Sequence, residues 1–301
     1  MRIPSLVIGA AVAALVVVPA RAAESWVNGP WKAYDTRSLK LESNVATVRV
    51  DVKDSGPMAL QISGAPERLG GMKVWVSNNT LNIKCPEYEG VWDWRHWFDF
   101  SGGPTDPDKL QIHVVVPRGS ALDVEAMVGP VVIGSTGGPL KFEVTGNSNA
   151  TIGNVSEAHL EMAGSGKLMV GSVAGPLFAE TAGSGDIRVG DAVKVNADIA
   201  GSGSISVGHV NGPIDVDIAG SGDFSALSVQ GPAKADIAGS GSVTIAGGEA
   251  NPLKVDIMGS GSVSMGGIAV DPRVDSMGSG TVRVKACRGS GCDSGDLKVG
   301  G

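Results

Sequence analysis

The chain has 301 residues with 24 Lys+Arg against 31 Asp+Glu, a formal net charge of −7. That length can bury a sizeable core, and the acidic balance argues against nucleic acid or an anionic membrane as a partner. Gly contributes 45 residues without recurring at every third position, which excludes collagen, and a hydrophobic share of 42% in ordered patterns argues against disorder.

The first residues read as a secretory signal over 1–22. Arg2 supplies the positive charge, "LVIGAAVAALVVV" (6–18) an apolar run, and "ARA" (20–22) small residues around a cut after Ala22. About 13 apolar residues are short for a membrane span, which needs about 20, and no Cys follows for lipid attachment. The expectation is an exported bacterial protein of the periplasm or cell surface, with no transmembrane anchor in the mature chain. Residues 23–40 follow as a leader.

Residues 41–125 carry strand patterns, "ATVRVDV" (46–52), "ALQISG" (59–64) and "LQIHVVV" (110–116), without a fixed period. They read as an irregular β segment. Between "LNIKC" and "LQIHVVV" lies an aromatic loop, 86–108, with Trp92, Trp94, Arg95, Trp97 and Phe98. Two readings stand open. The loop covers an open end of the fold, or it forms an exposed platform for an envelope glycan or protein. These five residues are the candidate ligand-binding set.

From 126 to 285 the chain repeats. "GSG" begins at Gly164, Gly183, Gly201, Gly220, Gly239, Gly259 and Gly278, at spacings of 18 to 20, and "GNSN" begins at Gly146. Before each turn, alternate positions are apolar, as in Ile214, Val216 and Ile218. Alternation resumes after it, as in Ile205 and Val207. Period-two alternation places these residues on one face of extended chain. Strands so short need copies of themselves to stack on. The fold class is therefore all-β: a single-stranded parallel β-solenoid, or β-helix, of ~19-residue coils with Gly-Ser-Gly turns. Right-handed winding is expected from the handedness of parallel crossovers. Pro139, Pro176, Pro213, Pro232, Pro252 and Pro272 mark a second corner.

The Gly-Ser-Gly-x-apolar-x-apolar-Gly repeats, with the strand-rich segment upstream, resemble the head GIN-domain family of putative autotransporter adhesins. The resemblance covers about 41–300. It implies an exported β-helical protein and offers no catalytic residues to transfer.

Three residues before each turn glycine stands an acid, including Glu161, Glu180, Asp198, Asp217, Asp236 and Asp256. Stacked coils would align them in a row. Such a row is either a solvated face partly neutralised by Lys141, Lys234, Lys254 and Arg273, or a divalent-cation site. Cys287 and Cys292 bracket a four-residue gap that a disulfide can close, with free thiols or metal ligation as the alternatives. Residues 286–301 then form a cap or short last coil. Cys85 reads as a buried small hydrophobe.

No cofactor is expected. The function read from the sequence is an exported cell-envelope solenoid acting as a binding, adhesin-like or structural module. The alternatives are a polysaccharide-acting β-helix enzyme and a divalent-cation-binding surface protein. The repeat connections are short, and His96, His113, His159 and His209 are scattered with no Ser/His/Asp arrangement, so no catalytic residue is named.

Overall fold

The computed structural model describes residues 30–64, 69–85, 110–293, 295 and 297–300. The regular part alternates long and short strands: β9 (Pro139–Gly146), β10 (Asn149–Ile152), β11 (Glu157–Gly164), β12 (Lys167–Val170), β13 (Pro176–Gly183), β14 (Asp186–Val189), β15 (Lys194–Gly201) and β16 (Ser204–Val210). It continues through β17 (Ile214–Gly220), β18 (Asp223–Gly239), β19 (Ser242–Ile245), β20 (Gly248–Gly259), β21 (Ser262–Val270), β22 (Arg273–Gly278) and β23 (Thr281–Arg288). Long strands stack in parallel on long strands and short on short, so each coil adds one rung to two ladders. This is the expected parallel solenoid.

The register is strict at the turns. Gly146, Gly164, Gly183, Gly201, Gly220, Gly239, Gly259 and Gly278 are direct partners from coil to coil. All have positive φ, +130° at Gly220. The serine N–H after each turn glycine donates to the preceding coil's turn-glycine carbonyl, at 2.8–3.1 Å from Ser165 to Ser279. A Cβ on Gly220 would lie 2.5 Å from the Gly201 carbonyl oxygen. Glycine therefore serves twice, permitting the left-handed φ and leaving room for the neighbouring backbone.

Inward positions of both ladders fill the core. Val216, Ile218, Ile205 and Val207 are buried, and Ala179, Ala197, Ala233 and Ala235 keep the cross-section narrow. A third apolar row, Val155, Val173, Ala192, Val210 and Val229, is also buried and pairs between coils through bridges and the extension of β16. Each coil is thus three-sided rather than the two-stranded unit read from the repeat.

The upstream strands are β1 (Lys32–Tyr34), β2 (Ser38–Lys53), β3 (Met58–Ser63), β4 (Lys73–Ser77), β5 (Thr80–Lys84), β6 (Leu110–Pro117), β7 (Ala121–Val128) and β8 (Pro130–Ile133). They belong to the same stack. β7 pairs with β9 and β8 with β10, in parallel. The 16-residue β2 supplies a rung to both ladders. Its first half lies between β5 and β7, its second half between β6 and β8. β4 and β3 then close the two ladders with antiparallel rungs on β5 and β6, and β1 adds to β3. Asn78 and Asn79, both at positive φ, turn β4 into β5. Cys85 is buried.

At the other end, β24 (Leu297–Val299) stacks on β23. Cys287 and Cys292 are bonded with Cα atoms 5.7 Å apart, so the pairing expected from their spacing is present. Leu297 is buried beneath the last coil, as a shortened final repeat requires.

Two outcomes follow from this geometry. Gly220→Val should destabilise by about 3 kcal/mol or more, because left-handed strain and backbone overlap add. The exposed neighbour Ser221, changed to Ala, should stay within about 0.5 kcal/mol of wild type. Denaturant melts of both variants check the pair. Peptide mapping without reductant should recover Cys287 and Cys292 in one linked fragment, with Cys85 labelled by a thiol reagent only after unfolding.

Candidate functional site

The outward side chains of the long-strand ladder form three parallel rows. The central row is acidic, and it is longer than the repeat implied. Glu42, Glu125 and Glu143 precede Glu161, Glu180, Asp198, Asp217, Asp236, Asp256 and Asp275, each the direct partner of the next. Strand spacing places successive carboxylates about 4.8 Å apart along the solenoid axis.

On one side runs a mixed row, two residues earlier in each strand, that supplies cations. Lys40 lies 3.2 Å from Glu125, 3.6 Å from Glu42 and 3.7 Å from Asp123, and Lys84, which continues the central row as the direct partner of Glu42, lies 3.0 Å from it. The Lys84 ammonium, opposed by burial and aided by Lys40, holds the Glu42 carboxyl below its usual range. Lys141 approaches Glu143 at 3.6 Å, and His159 approaches Glu161 at 2.8 Å. Lys234 bridges three carboxylates, at 2.6 Å from Asp236, 3.2 Å from Asp215 and 3.7 Å from Asp217. Lys254 lies 2.6 Å from Asp256.

Between these clusters the row carries Phe178 and Asn196 instead of cations, and Glu180 and Asp198 have no ion pair among the described residues. The strain of aligned like charges is visible next to this gap. Burial raises the Asp217 carboxyl, and Asp215, Asp236 and Asp198 push it further up against the pull of Lys234. Burial also acts upward on Asp236, but the Lys234 ammonium 2.6 Å away carries it below the ordinary range.

On the other side of the acids, next to the turns, runs a row the repeat analysis passed over: Ala200, Ala219, Ala238, Met258 and Met277, in register. Met258 is 62% exposed and Met277 72%. The signal was in the sequence, as the residue just before each Gly-Ser-Gly. Between this apolar row and the acids from Glu180 to Asp275 lies an open groove of about 640 Å³.

No group of three or more His, Cys, Asp or Glu side chains is arranged to hold a metal ion among the described residues. The carboxylates run in a line rather than converging. The short-strand ladder carries polar pairs instead: Ser204 donates to Asp186 at 2.8 Å, and Ser225 to Ser206 at 2.9 Å. His209 Nδ1 lies 2.8 Å from Ser228 Oγ, but the Asp191 carboxylate accepts the His209 backbone N–H and does not orient the ring. His113 meets Asp51 at 2.7 Å near the other end of the stack. The described histidines, His113, His159 and His209, therefore stay apart in space as they are in sequence. Trp92, Trp94, Arg95, Trp97 and Phe98 lie outside the described residues, as does the signal segment 1–22. Among the described residues, no helix is long and apolar enough to cross a membrane.

Residues 40–228 match the family described as putative auto-transporter adhesin, head GIN domain. The chain belongs to this family. Solved structures share the likeness. A putative lipid binding protein from Parabacteroides distasonis ATCC 8503 is 22% identical with a TM-score of 0.47, the match covering 85% of this chain and 97% of that one. A putative adhesin from the same organism is 16% identical with a TM-score of 0.43, covering 87% and 97%. A putative adhesin from Parabacteroides merdae ATCC 43184 is 16% identical with a TM-score of 0.44, covering 85% and 97%. No curated protein matches this GIN-domain chain.

The raised Asp217 carboxyl gives a signed prediction. A carboxyl raised in the folded state disfavours folding above its folded pKa and has no effect below its unfolded one. Asp217→Asn should therefore raise the melting temperature at pH 7. The gain should shrink as pH falls through the carboxylate range and vanish below it, as melts from pH 7 to pH 3 would record.

Proposed function

We propose that the protein is an exported cell-envelope module that works by adhesin-like binding, offering the outer faces of a rigid solenoid to an envelope glycan or protein. One observation carries the reading: the long-strand face is open, in register over many coils, and grooved between the acids and the Ala/Met row. No connection between β9 and β23 is longer than five residues, so no long loop of the regular coils covers it. Membership of the adhesin-named family supports the same reading. Rigid, repeated surface suits recognition of an extended or repeated ligand, because the side chains that meet it are held by the stack and lose little freedom on binding.

The purified protein should bind saturably to isolated envelope fractions or to a glycan array, and tagged protein on intact cells should be found in the periplasm or be removed by external protease. Release of sugar fragments from envelope polysaccharide would instead support a carbohydrate-acting enzyme. A melting temperature raised several degrees by millimolar Ca²⁺ would support a cation-binding one. Absence of binding to every fraction would overturn the proposal.

A further inference from the structure

We propose that the groove on the long-strand face docks an extended, basic segment of a partner protein, in which Lys or Arg alternates with apolar residues. The inference rests on the binding-module reading and names the partner's chemistry. The two walls differ in kind and run parallel to the solenoid axis. One is the carboxylate row, from Glu180 to Asp275. The other is apolar, from Ala200 to the exposed Met258 and Met277. Residues two apart on a strand sit about 7 Å from each other, so a single extended backbone fits between the walls. Its side chains point alternately to opposite sides. A segment of alternating basic and apolar residues would thus lay its cations on the acids and its apolar groups on the alanines and methionines.

Charge complementarity selects this occupant. In-register carboxylates repel an anionic partner, and within the chain's own cations they find only partial neutralisation. Lys234 and Lys254 serve the acids of their own part of the row, whereas Glu180 and Asp198 are left without an ion pair among the described residues. Phe178 stands beside Glu180 on the cation-row side, with the chain's own Lys194 6.0 Å over its ring, and supplies no charge to the acids. Five intervals of about 4.8 Å separate Glu180 from Asp275, the length of about seven extended residues. A flexible Lys side chain spans the mismatch between the coil spacing and the repeat of a strand. A second copy of the chain is a poor occupant, because its own corresponding face is equally acidic.

The test uses the full protein and fluorescein-labelled eight-residue peptides, (Lys-Leu)₄, (Lys-Ser)₄ and (Glu-Leu)₄, by fluorescence anisotropy. (Lys-Leu)₄ should bind saturably, (Lys-Ser)₄ several-fold more weakly, and (Glu-Leu)₄ not at all. Glu180→Gln with Asp198→Asn removes two exposed charges that no internal cation uses, and should weaken (Lys-Leu)₄ about tenfold without lowering the melting temperature. Met258→Asn should weaken (Lys-Leu)₄ without affecting (Lys-Ser)₄. Equal binding of (Lys-Leu)₄ by wild type and the charge variant, or no saturable binding by wild type, would overturn the docking site. If the charge variant also holds envelope fractions as wild type does, the docking site falls while the adhesin-like reading stands. If wild type binds neither peptide nor envelope, both fall.

Discussion

The stack depends on backbone touching backbone at one corner. Each turn serine N–H reaches the glycine carbonyl of the coil before it, and the distance is possible only because neither glycine carries a Cβ. The hydrogen bond itself is of ordinary strength, worth about 1 kcal/mol net. Its importance is positional. It sets the register of every coil at the same residue, and the period-two alternation on either side then decides which side chains turn inward. A one-residue slip would move Val216 and Ile218 to solvent and bring Asp217 into the core, which burial of an unpaired carboxylate forbids.

A fold held this way converts sequence repetition into surface rows. What is a modest local preference in one coil becomes a line of identical groups a strand spacing apart. For apolar rows this is favourable, since stacked Val and Ile share one continuous core. For carboxylates it is not, and the molecule handles the conflict unevenly. Lys40 and Lys84 neutralise one end of the acidic row, and Lys234 and Lys254 a part near the other. Exposed pairs of this kind are each worth about 0–1 kcal/mol, so they moderate the repulsion without making the row a source of stability.

The coil, its turn and its two main core rows were legible in the sequence because each is local. Gly-Ser-Gly states the turn, alternation states the faces, and the spacing of Cys287 and Cys292 permits the bond that the structure contains. The third apolar row was present too, as Val155, Val173, Ala192, Val210 and Val229 nine residues after successive turn glycines, but single apolar residues among Gly and Asn give no alternation to detect. The Ala/Met wall escaped for a related reason: alanine before glycine reads as turn composition until the stack shows that five such positions face the same groove. The acidic row could be read but not its neutralisation, since Lys234 reaches three carboxylates on two successive coils and only the register reveals which.

The least legible feature was the place of β2. Its strand pattern is plain, but its neighbours lie far along the chain: Ala46 pairs with Leu110, and Ser38 with Ala121. The chain lays down this double rung, goes outward to build the closing layer of β3 to β6, then returns past it with β7 and β8. The start of the solenoid is therefore woven rather than wound. While the repeats beyond β9 can assemble by adding each coil to the last, one edge of β2 waits for β5 and β6, and the other stays open until the chain has been made through Ile133. Loop closure over that distance must be met before any of its pairings reward it. A molecule whose bulk grows by short-range steps is thus tied at its origin by a long-range one, and that knot-like return, not the repeat, limits how soon the first layer can become native.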